Sequence, residues 1–142
     1  MVRKQLALLL IVVITCLGIG FVINNKNNNK IEKTFLSQKE EILEEAKFRL
    51  KPIVETQQNL NTLNIIVEIT SYIYPELLTH NYAKQMLIEF NEKIYDPTEW
   101  KVIEKNNHRI IGQLRFEINE TNPVKKFTLQ IFLGDKYEVI WN

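Results

Sequence analysis

Cysteine is almost missing from this chain. Its 142 residues include one, Cys16, inside an apolar N-terminal run. The rest of the chain therefore has no internal disulfide and no thiolate metal site, and must rely on a packed core. A folded region of about 110 residues buries enough apolar surface to manage without such staples. Glycine is nearly as scarce. Gly18 and Gly20 sit in the apolar run, which leaves Gly112 and Gly134 for everything else. Two isolated glycines do not form the glycine-rich cradle that binds phosphate ahead of a helix. An excess of either charge is also lacking, with 18 Lys+Arg against 17 Asp+Glu. Nucleic-acid binders usually show a clustered basic excess, so no nucleic-acid partner is expected.

Catalytic vocabulary is equally thin. Beyond the apolar run the serines are Ser37 and Ser71, and no G-x-S-x-G pattern surrounds either. His80 and His108 are far apart, without H-E-x-x-H or an acidic calcium loop. No catalytic, cofactor-binding or metal-binding residue is assigned, and no cofactor is expected.

What the chain does have begins with Leu6 to Ile23, eighteen uncharged residues in a row. That is long enough to cross a bilayer, near the short end of the range. Arg3 and Lys4 precede it, and the positive-inside rule then places the N-terminus in the cytoplasm and the rest outside. A retained single-pass anchor is the reading adopted. Its alternatives are a signal cleaved near Gly18-Ile19-Gly20, giving a secreted protein, and lipid modification at Cys16. The organisation expected is a cytoplasmic tip and transmembrane anchor over residues 1–23, a polar linker over 24–34, and an extracytoplasmic domain over 35–142. Asn-rich residues 24–30 supply most of the linker.

Within the domain, Ser37 and Glu40 make a capping-box signature. Ile42, Leu43, Ala46, Leu50 and Ile53 follow at helical spacing, with Pro52 as a terminator. Residues 63–74 fit either a strand or a helix; Ile65, Val67 and Ile69 favour a strand. Pro75 can open a second helix, along which Leu78, Tyr82, Met86, Phe90 and Ile94 recur every four residues. From Glu99 the period is two, which reads as an antiparallel meander with one buried face. Parity arguments pair Leu133 with Tyr137, Phe116 with Phe127, Val102 with Ile110 and Trp100 with Gly112, so that the indole covers the glycine.

The fold class expected is α+β: two helices packed on an antiparallel meander behind a transmembrane helix. In general architecture it resembles the helix-on-sheet domains of the cystatin-like and NTF2-like kind, and that resemblance implies no particular function.

Ile111, Arg115, Phe132 and Ile140 fall on the sheet face away from the expected core. An apolar cluster rimmed by Arg and Gln is a candidate partner-binding face. The function expected is a non-enzymatic, membrane-anchored protein-interaction or assembly domain, whose partners are the membrane through Leu6 to Ile23 and another envelope protein. The alternative is a ligand-binding or enzymatic domain. Its pocket would lie between helix and sheet, lined by Tyr82, Trp100, Tyr137 and Trp141.

Overall fold

A computed structural model of the chain describes residues 30–58 and 60–142. Residues 31–142 form one compact unit. Alternation of apolar and polar residues dominates it, and almost every segment becomes a strand. These are β1 (Glu32–Phe35), β2 (Lys39–Leu43), β3 (Ala46–Gln57), β4 (Leu60–Thr70), β5 (Met86–Phe90), β6 (Lys93–Tyr95), β7 (Glu99–Lys105), β8 (Arg109–Ile118), β9 (Phe127–Leu133) and β10 (Asp135–Trp141). They make two antiparallel sheets. The larger has the order β1–β3–β4–β8–β7, with β2 also paired to β3, and the smaller has the order β10–β9–β5–β6.

This corrects the α+β expectation and, with it, the cystatin-like and NTF2-like likeness. Among the described residues the only helical pieces are two 3-10 turns, Pro75–Leu78 and Tyr82–Lys84. None of these residues forms a helix long and apolar enough to cross a membrane, so the expected transmembrane helix is not among the elements; Leu6 to Ile23 lies outside the described residues.

Both expected helices failed for one reason. Residues four apart share a face in a strand as well as in a helix. The intervening positions decide the matter. In β3, Phe48 lies between Ala46 and Leu50, and all three are fully buried while Lys47, Arg49 and Lys51 face outward. In β5, Ile88 is buried between Met86 and Phe90. Glu44 and Glu45, inside the stretch expected as the first helix, instead take positive φ of 48° and 57° and close the β2–β3 hairpin as a two-residue turn.

Pro52 survives inside β3 because of where it points. Its carbonyl accepts from Leu36 N–H at 3.1 Å, in the break between β1 and β2. The N and O of a strand residue face the same neighbour, so the missing donor also faces this break and costs no bond to β4.

The residues expected as a single meander divide between the sheets: β8 pairs with β4 and β7, whereas β9 pairs with β5 and β10. Phe116 and Phe127 are therefore not partners. Inward residues of both sheets meet in one core that includes Phe48, Leu50, Ile65, Ile69, Leu114, Phe116, Leu129 and Ile131. One open side is closed by side chains from β10. Trp141 Nε1 donates to Ser37 O at 2.7 Å and Tyr137 O–H donates to Glu44 Oε1 at 2.5 Å.

The crossover from β8 to β9 is fastened by Glu120. Its carboxylate accepts from Asn91 Nδ2 (2.6 Å), Lys93 Nζ (2.9 Å) and Tyr95 O–H (3.1 Å). Lys93 first, then Asn91, hold the Glu120 carboxyl below the ordinary carboxylate range. An unfolded glutamate titrates near pH ~4.3. The stabilisation is therefore complete above that value and is lost as pH falls through the lower folded value. Acid unfolding of Glu120→Gln should show a flatter dependence on pH than the parent. Superimposable acid limbs would exclude this role.

Candidate interaction surface

Ile111 and Arg115 lie on the outer face of the larger sheet, where Ile111 pairs with Glu68 and Arg115 with Asn64. Phe132 and Ile140 lie on the outer face of the smaller sheet, paired with Lys136 and Thr128. All four point away from the core, but on opposite sides of the sandwich. The structure places each pair on one face, four residues apart along the strands, and does not bring the four together.

The aromatic quartet is likewise divided. Tyr82 is buried; its O–H donates to Leu77 O at 2.7 Å, and its ring meets Phe48 and Trp100 edge-on. Burial pushes its phenol pKa up. Trp141 stacks on Phe127, with ring centroids 4.7 Å apart. With no helix over the sheet, the expected pocket between them has no second wall. Ser71 is buried, and its Oγ accepts from Tyr74 N–H, closing a turn. Among the described residues no group of three or more His, Cys, Asp or Glu could hold a metal ion.

The larger sheet's outer face carries a cross-strand chain of ion pairs. Arg49 bridges Glu40 and Glu68, each at 2.8 Å, and Arg109 bridges Glu68 and Glu104. Lys47 also pairs with Glu40, and these two cations hold the Glu40 carboxyl low. The members are part-exposed and already paired with each other, which makes them a solvated ladder with little charge left for a ligand.

The feature that sequence reasoning missed is the corner where β7 meets the 71–81 loop. Large apolar residues exposed here are Tyr72 (75%), Ile73 (61%), Tyr74 (38%), Val102 (46%) and Ile103 (55%), five of twelve such residues among those described. Tyr72 stacks on His108 at 5.0 Å, and Ser71 N–H donates to His108 O at 3.0 Å, joining the loop to the β7–β8 turn. A groove flanks each side of that turn. One, of about 610 Å³, has Glu68, Thr70, Tyr72, Asn107 and Arg109 on its walls. The other, of about 300 Å³, mixes the apolar residues Leu78, Trp100, Val102 and Ile110 with the polar residues Thr79, His80, Asn81 and Lys105.

The second groove exists because β7 overhangs the smaller sheet. Trp100 and Val102 face inward, opposite Leu114 and Gly112, yet Val102 remains exposed. Among the described residues the outer edge of β7 is also unpaired. Register shifts by one between Val102 and Glu104, which marks a bulge at Ile103. The sequence did contain a signal: the adjacent apolar residues Val102 and Ile103, which break the alternation between Trp100 and Lys105.

Compared with protein-family models, curated proteins and solved structures, the chain matches none.

Proposed function

We propose that the sandwich is a protein-interaction module, displayed on the extracytoplasmic side of the membrane, that receives an extended partner segment along the edge of β7. The observation that carries this reading is a strand edge with no paired neighbour among the described residues, beside a groove that holds Leu78, Trp100, Val102 and Ile110 among polar residues. A partner strand would gain main-chain hydrogen bonds from the edge and a side-chain seat from the groove. Charged residues and the bulge restrain indiscriminate pairing there, which suits a specific contact.

The β7 corner and the first strand lie at opposite ends of the larger sheet. The Glu32–Thr56–Asn61–Ile118 row is one end of the larger sheet, and the Thr70–Arg109 row is the other. Nine residues of strand separate them, about 30 Å at ~3.3 Å per residue. Tyr72 and His108 thus stand at the end farthest from Glu32, where the chain enters the fold. The apolar run with Arg3 and Lys4 before it supports the extracytoplasmic address, and cleavage of the domain by protease added to intact cells tests it.

The decisive experiment places a photo-crosslinker at Val102 of the full chain in the cells that make it. An adduct with a protein should form, and Ile103→Glu should cut its yield at least tenfold while Phe132→Glu leaves it unchanged. Loss on Phe132→Glu with retention on Ile103→Glu would move the contact to the smaller sheet's outer face and overturn this reading.

A further inference from the structure

Lys101 and Lys105 on β7 have no ion-pair partner among the described residues, although most of their charged neighbours do. Glu104 bonds Arg109 through Oε1, which leaves Oε2 free. The bulge changes where these charges point. In an unbroken strand, Lys101 and Glu104 would face opposite sides. Here Lys101 lies opposite Gln113 and Glu104 opposite Ile111, both outer-face positions of β8. Trp100 and Lys105 lie opposite Leu114 and Ile110, both inner-face positions.

The seven residues EWKVIEK of β7 consequently complement their own reverse. Laid antiparallel about an axis between Val102 and Ile103, the segment sets Lys101 against Glu104 on the outer side. Trp100 meets Lys105 on the inner side, where an ammonium can rest on the indole face. Val102 meets Ile103 at the centre. Every pairing occurs twice, as an isologous two-fold contact requires. Neighbouring registers lose this match: a shift of one residue sets Lys101 against Ile103 in one direction or against Lys105 in the other.

We propose that the occupant of the β7 edge is a second copy of this chain, paired β7 to β7 across that axis and joining the larger sheets edge to edge. This rests on the reading of β7 as the contact surface and adds the partner's identity. One seven-residue edge is small beside interfaces of the standard ~1,600 Å². The association is therefore weak and concentration-dependent.

The test uses the full chain in mild detergent, carrying two different affinity tags, with self-association read by sedimentation and by co-purification of one tag with the other. The parent should associate. Lys101→Glu and Glu104→Lys should each weaken self-association at least tenfold, because each sets two like charges in register twice over. Mixed together, the two variants should associate again, since every cross-pair is then Lys against Glu. A misfolded variant would not regain association on mixing. A parent that stays monomeric, single variants that associate like the parent, or a mixture that does not recover would each overturn the second-copy proposal. An adduct from Val102 with some other protein, together with a failed charge swap, would leave the β7 reading intact and remove only the second copy. Absence of any adduct would remove the reading itself.

Discussion

Gly112→Val is expected to destabilise the domain by about 3 kcal/mol, the upper end of what overpacking a filled core costs. Gly112 sits on the inner face of β8 between Val67 on β4 and Val102 on β7. A Cβ built there would overlap the six-membered ring of Trp100. The indole lies diagonally across the glycine and also packs edge-on against Tyr82, with centroids 5.4 Å apart. Any side chain at position 112 must lift the indole, and with it a contact that closes the core beside the overhang. Chemical denaturation checks the size of the loss. A double-mutant cycle checks its cause: in a Trp100→Ala background the valine enters space that the indole has left, and its cost should fall below ~1 kcal/mol. Equal costs in both backgrounds would show that the glycine is needed for some other reason.

The inward position of that glycine is legible in the sequence, and its neighbours show where such reading stops. Alternation in β8 marks Ile110, Gly112, Leu114 and Phe116 as one face, and the same parity puts Trp100 on it. Parity says which way residues point and is blind to shifts of two. Trp100 accordingly pairs with Leu114 instead of Gly112, yet the ring still reaches the glycine. In the last hairpin Tyr137 pairs with Ile131 instead of Leu133, two residues from the expected register and on the expected face. Alternation is also silent about which sheet a strand joins. Ile111 and Phe132 both point outward, and only the crossover at residues 119–126 sends them to opposite sides. The β3 error was of another kind. Ala46 and Leu50 fit both periods, and Phe48 with Val54 would have told strand from helix. The capping signature at Ser37 outweighed them, although it describes a local preference that tertiary burial overrides. The β7 corner was harder still. Val102 is an inward residue by parity, and its exposure depends on how far the smaller sheet reaches.

Asn61→Leu is expected to cost about 2–4 kcal/mol, because it strands several polar groups at once. Asn61 is buried at the inner-face end of β4, where apolar residues otherwise line the core. Its Oδ1 accepts from Thr56 O–H at 2.7 Å, and its Nδ2 donates to the carbonyls of Glu120 (2.7 Å) and Asn122 (3.0 Å). One amide thus ties β3 and β4 to the crossover that carries the chain from one sheet to the other. Leucine fills a similar volume, so the loss would report the hydrogen bonds more than the packing. With the crossover released, the Glu120 cluster with Asn91, Lys93 and Tyr95 loses its fixed backbone. The Asn61→Leu and Glu120→Gln effects should therefore be less than additive. Amide exchange offers a second reading: protection should fall first in residues 118–124 and in β6, while the central β3–β4–β8 ladder keeps most of its protection. Uniform loss across both sheets, or strict additivity of the two substitutions, would show that Asn61 supports the core at large and is not the fastening of this crossover.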